Sequence, residues 1–150
     1  MKYTWFYIIL IIVASCQQKS QSNNKSDVQN KIIGDVELTA KWMEYNNNKD
    51  DTTNRNDYRY INVKINKLQQ QNVEKEKLLY LNFDMQKDFV LVVNEDSIPA
   101  TFCQRIENGI SGSYDYIVAF EEKKEYQLKS DYTLVYNDKV FGIGTVAFVL

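Results

Sequence analysis

Histidine is missing from all 150 residues. That removes the commonest general base, the triads built around it and the commonest zinc ligand. Cysteine occurs only at Cys16 and Cys103, so a disulfide-stapled scaffold is excluded and the fold must stand on an apolar core. No cationic block is present: 18 basic residues face 20 acidic ones for a net charge of −2, which leaves nucleic-acid binding without an electrostatic footprint. Glycine is scarce, at five residues, and forms no phosphate-cradling loop. Phe141-Gly142-Ile143-Gly144 reads instead as part of a strand, where glycine permits a bulge or a close neighbour. The apolar run Trp5 to Val13 falls short of the about 20 residues a membrane-spanning helix needs.

These absences leave little catalytic equipment. Asp84 and Asp88 flank Met85-Gln86-Lys87, but that spacing alone does not build the shared cleft of an acid/base pair, and solvated loop carboxylates are the simpler reading. Cys103, in Ala100-Thr101-Phe102-Cys103, has apolar neighbours and no adjacent base, so it reads as a small packing residue rather than a nucleophile. In the polar stretch Asn46 to Asp57, alternate Asn and Asp residues mimic a calcium loop. Its sixth position is Asp51, however, where that loop needs glycine, so a long solvated hairpin loop is the better fit. No catalytic residue, metal ligand or cofactor is expected, and the chain does not read as an enzyme.

What is present begins at the N-terminus. Lys2 and the terminal amine make a short cationic start, Trp5 to Val13 an apolar core, and Ala14-Ser15 a pair of small residues where a peptidase can approach the backbone, which is the anatomy of a secretory signal. A cysteine follows directly. Val13-Ala14-Ser15-Cys16 resembles the lipobox of bacterial lipoproteins, and the resemblance implies cleavage between Ser15 and Cys16 and lipidation of Cys16. A diacylglyceryl thioether and an amide-linked acyl chain would hold the protein on a membrane, each buried methylene adding about 0.8 kcal/mol. The mature chain then keeps every acidic residue and loses one basic residue, Lys2, for a net charge of −3.

Three segments follow from this: a signal at 1–15, the lipidated cysteine and a tether at 16–31, and one domain at 32–150. Gln17 to Asn30 has almost nothing apolar to bury, the mark of a flexible spacer. In the domain the dominant period is two. Val36, Leu38, Ala40 and Trp42 alternate with polar residues, and Ile61, Val63 and Ile65 repeat the pattern. Further strands are expected at Tyr80–Phe83, Phe89–Val93, Ala100–Ile106 and Tyr114–Phe120. A hairpin is expected to turn at Asn137-Asp138 between Tyr132–Tyr136 and Lys139–Phe141, with a last strand running to Leu150. One helical turn is plausible within Asn72 to Leu81. Short strands rich in Tyr, Val, Ile and Phe predict an all-β, antiparallel immunoglobulin-like sandwich of about seven strands.

The segment Tyr80 to Asn108-Gly109 concentrates aromatics, amides and one arginine, the composition of protein interfaces. Its candidate partner-binding residues are Phe83, Phe102 and Arg105; the alternative is two ordinary strands with a Pro99 edge and an Asn108-Gly109 turn. A second function class, carbohydrate or small-ligand binding, would use exposed aromatics such as Trp42 and Tyr114. Taken together, the lipobox, the richness in Asn, Lys, Gln and Tyr and the small β domain resemble lipoproteins of Bacteroidota, and Tyr80 to Phe120 is similar to accessory lipoproteins of their type VI secretion system. Surface-displayed lipoproteins of that group carry acidic residues just after the cysteine, whereas Gln17 to Ser26 contain none. The resemblance therefore implies the periplasmic face of the outer membrane and a protein partner in the envelope.

Overall fold

The computed structural model describes residues 28–43, 58–69, 73–121 and 131–150. In chain order these form β1 (Val28–Ile33), β2 (Val36–Trp42), β3 (Tyr58–Lys67), α1 (Lys75–Phe83), a 3-10 turn (Met85–Asp88), β4 (Phe89–Val93), β5 (Asp96–Pro99), β6 (Phe102–Ile106), β7 (Ser113–Glu121), β8 (Tyr132–Asn137) and β9 (Thr145–Val149). Two sheets result, ordered β1-β2-β3-β7-β6 and β5-β4-β8-β9, and every pairing is antiparallel. With β2 taken as strand A, these orders become A-B-E-D against C′-C-F-G, the immunoglobulin arrangement, and β1 is an extra N-terminal strand hairpinned onto strand A. No helix among the described residues is long and apolar enough to cross a membrane.

Alternation builds the core. Ala40 pairs with Val63 and Val63 with Tyr116, while Leu38 pairs with Ile65 and Ile65 with Tyr114, so the buried side chains run in rows across the first sheet. The second sheet answers with the row Ile98, Leu91, Leu134 and Phe148. Phe89 stacks on Tyr136 with centroids 5.2 Å apart. Each fully buried side chain of this size contributes about 1.5–3 kcal/mol, which lets the domain hold without a cross-link.

The outer face of the first sheet carries a polar network on β1, β2, β3 and β7. Glu37 accepts from Asn30 and Asn66, and Asn66 accepts from Ser113 Oγ at 2.8 Å.

The structure departs from the sequence expectations at four places. Among the described residues nine strands form, where about seven were expected. The first, β1, begins at Val28, inside the stretch read as tether; as an edge strand it turns Gln29 and Lys31 toward the core side in register with Ala40 and Leu38, so it lacks an apolar alternation. The Lys31 ammonium lies 5.7 Å from the centroid of the Phe148 ring. The other added strand, β5, is a four-residue edge ending at Pro99.

Tyr80–Phe83 is the end of a helix, not a strand. Lys75 to Leu79 are good helix formers, and the helix stops where Asp84 N–H bonds Tyr80 O at 2.9 Å. The hairpin between β8 and β9 exists, but its connection runs from Asp138 to Gly144 instead of turning at Asn137-Asp138. The Asp138 carboxylate collects the N–H groups of Val140, Phe141 and Ile143, and Gly142 and Gly144 supply φ of +76° and +73°. The Phe141–Gly144 segment is thus this loop and not a strand.

Candidate functional site

Two features meet where α1 and the 3-10 turn close the side of the sandwich next to β6. The first is an aromatic edge. Phe83, the last residue of α1, is 78% exposed, and Phe102, opening β6, is 46% exposed. Phe102 pairs with Ala119 on the outer face of the sheet. The segments that carry the rings are cross-bonded: Gln86 Nε2 donates to the carbonyls of Ala100 (2.9 Å) and Thr101 (3.1 Å), and the Arg105 side chain donates through Nη1 to Asn82 Oδ1.

Arg105 itself points inward. It is opposite Tyr116, its side chain is 18% exposed, and its guanidinium lies 5.1 Å from the Tyr114 ring centroid. Its Nε finds no hydrogen-bond acceptor, with Glu107 Oε1 at 3.7 Å. Of the three residues expected to bind a partner, Phe83 and Phe102 thus lie on the surface, while Arg105 ties the helix to the strand beneath them.

The second feature is a buried carboxylate. Asp88 is 0% exposed; it accepts Tyr80 Oη at 2.8 and 2.9 Å on its two oxygens and meets Lys139 Nζ at 2.9 Å. The lysine is exposed and its ammonium also lies 5.8 Å from the Tyr80 ring centroid, so a charge from the β8–β9 loop caps a carboxylate from the 3-10 turn. The bond to Asp88 and then that to Tyr80 raise the Lys139 pKa. Burial, followed by the hydrogen bond to Asp88, raises that of Tyr80. Asp84 bonds Lys87 instead, at 2.8 Å, so the two carboxylates considered as a catalytic pair have separate partners. Sequence reading missed the clasp because Lys139 lies far along the chain from Asp88; the one available signal was an aspartate set directly between helix formers and the apolar run Phe89–Val93.

Cys103 is partly buried against the core. Burial first, and the Asp88 charge second, push its thiol up to about 12, so it stays protonated and poorly nucleophilic at neutral pH. Tyr114, offered as a sugar platform, is 4% exposed and packs against Phe141 at 5.7 Å. Trp42 meets Tyr132 edge-on at 5.3 Å, with Arg59 at 5.6 Å from its ring. Tyr114 is thereby closed to a ligand, while Trp42 stays partly exposed beside these two contacts. Asn108 and Gly109 form the expected turn, Asn108 Oδ1 accepting Ile110 N–H at 2.9 Å and Gly109 having φ of +71°. The lipobox Val13-Ala14-Ser15-Cys16 and the calcium-like stretch Asn46 to Asp57 lie outside the described residues.

The fold and this edge define a class: a small immunoglobulin-like sandwich with most of its described aromatics in or against the core and two, Phe83 and Phe102, exposed on one rim. Compared with known protein families, curated proteins and solved structures, the chain finds no match.

Proposed function

We propose that this chain is a lipoprotein, anchored through Cys16 at the periplasmic face of the outer membrane, whose sandwich holds a partner protein of an envelope complex such as a secretion system. The rim of α1 and β6 is its contact surface. The observation that carries this reading is Phe83: a large aromatic kept 78% exposed at the end of a helix whose neighbouring Asn82 is bonded to Arg105 of β6. Apolar surface on a monomer favours burial against something, and a ring on a cross-bonded helix end loses less entropy when it docks than one on a free segment. The lipobox supports the anchor, and the scarcity of catalytic groups favours a binding role over an enzymatic one.

Three baits in crosslinked cells test both parts. Wild type is expected to incorporate radiolabelled palmitate and to retain an envelope protein. Cys16→Ala is expected to lose the label and leave the membrane, and Phe83→Ala with Phe102→Ala to keep the label but lose the partner, since truncating an anchor residue typically costs more than about 2 kcal/mol. Unchanged labelling of Cys16→Ala removes the lipoprotein reading. An aromatic double variant that retains the same proteins removes the rim as the binding surface.

A further inference from the structure

The four edge strands are not alike. The β1 edge carries Lys31 and Asn30, and β5 is short, starts at Asp96 and ends at a proline that has no N–H. Across β6 lies α1, bonded through Arg105. These are the devices that keep an edge from pairing with a second chain. The fourth edge, β9, shows none of them among the described residues: Thr145-Val146-Ala147-Phe148-Val149 contains no charge, no proline and no glycine.

The free groups of that edge can be assigned. Leu150 N–H bonds Tyr132 O and Asp138 N–H bonds Gly144 O, so the even-numbered residues of β9 turn their backbone groups to β8. By the alternation of an antiparallel ladder, the N–H and C=O of Thr145, Ala147 and Val149 then point away from the sheet. Unpaired groups at that spacing call for an extended strand.

We infer that β9 is a self-association edge, at which a second copy of this chain pairs antiparallel about a two-fold axis through Ala147. This surface is distinct from the aromatic rim and does not rest on it. In that register Ala147 lies opposite its own copy and Thr145 opposite the partner's Val149, and each such pair exchanges two hydrogen bonds. The smallest side chain in the strand therefore falls where two identical residues meet. The buried residues also match, because Val146 of one copy neighbours Phe148 of the other along the core face. Within the strand itself no like charges are opposed, because Thr145 to Val149 contains none.

Cysteine crosslinking in intact membranes tests this. Directly opposed residues of a hydrogen-bonded antiparallel pair have Cα atoms about 5.5 Å apart, within disulfide reach. Ala147→Cys is expected to give an oxidised dimer on a non-reducing gel, whereas Thr133→Cys, one strand further in on the same face, is expected to stay monomeric. The detergent-solubilised full chain is expected to sediment as a dimer, and Ala147→Lys to weaken that dimer more than about tenfold by placing like charges across the axis. Its circular dichroism should be unchanged, because the side chain at 147 is exposed. A wild-type chain that remains monomeric overturns the inference. So does an Ala147→Lys chain that dimerises as well as wild type, or an edge that captures only an unrelated extended peptide.

Discussion

Burial keeps the phenols of the core neutral. It raises the pKa of Tyr116 and Tyr136 far above the ordinary value, with the Asp138 charge adding to the effect at Tyr136, and Tyr116 Oη donates to Leu81 O at 2.9 Å. A raised value in the folded state gives stability that is whole below the unfolded pKa near 10.0 and is lost as pH climbs through the folded value. Asp138 has the opposite sign. Burial by itself would raise its pKa, but the N–H groups of Phe141, Val140 and Ile143 and the Tyr136 hydroxyl hold it below 3.8. Its contribution is therefore present above that pH and fades below it. Titrating the chain to high pH should give two steps of tyrosinate absorbance, the first from exposed tyrosines and the second coincident with loss of the β-sheet dichroism signal. A single step with that signal intact would mean that the buried phenols ionise inside the fold.

The Asp88–Lys139 clasp joins the 3-10 turn to the β8–β9 loop, and its halves are not equivalent. Lys139→Met leaves a fully buried carboxylate with Tyr80 as its remaining partner in the clasp, whereas Asp88→Asn removes the buried charge, keeps an oxygen for Tyr80 and releases the lysine to water. Thermal denaturation should show Lys139→Met melting well below wild type, Asp88→Asn within about 1 kcal/mol of it, and the double variant recovering most of the loss. Equal losses in the two single variants would place the stabilisation in the ion pair itself.

The pairing in that clasp was not legible beforehand: Asp88 stood out by its place before the apolar run Phe89–Val93, but nothing local points from it to Lys139. The strands β2, β3 and β7 were legible, since each sets apolar residues on one face of a half-buried sheet. Helix α1 was partly legible: its helix formers marked one turn within Asn72 to Leu81, but Leu81 is its one buried residue, so there is no stripe of period 3.6 to extend it, and Tyr80-Leu81-Asn82-Phe83 imitates a strand. The aromatic rim was half legible. Phe83 and Phe102 stood out by type, but the inward turn of Arg105 depends on its register with Tyr116, which only the paired strands define.

As a whole, the domain should need neither the segment before Val28 nor a cross-link. Residues 28–150 made alone are expected to give a β-type circular dichroism spectrum that reductant leaves unchanged, because Cys103 is a single partly buried thiol inside a continuous apolar cluster. A mainly helical spectrum, or a transition that shifts with reductant, would contradict this.

Sheet order also has a mechanical consequence. The chain enters the domain at β1, and the aromatic rim lies at β6, the opposite edge of the same five-stranded sheet. Tension drawn between a membrane attachment ahead of Val28 and a load held at that rim would run across the strands rather than along them. Ladder bonds pulled in that direction open one after another, like a zip, instead of resisting together in shear. The β1–β2 hairpin would peel first. The sandwich made by the remaining strands would stay closed, so β1 would act as a short extensible leader that yields under force before the domain does.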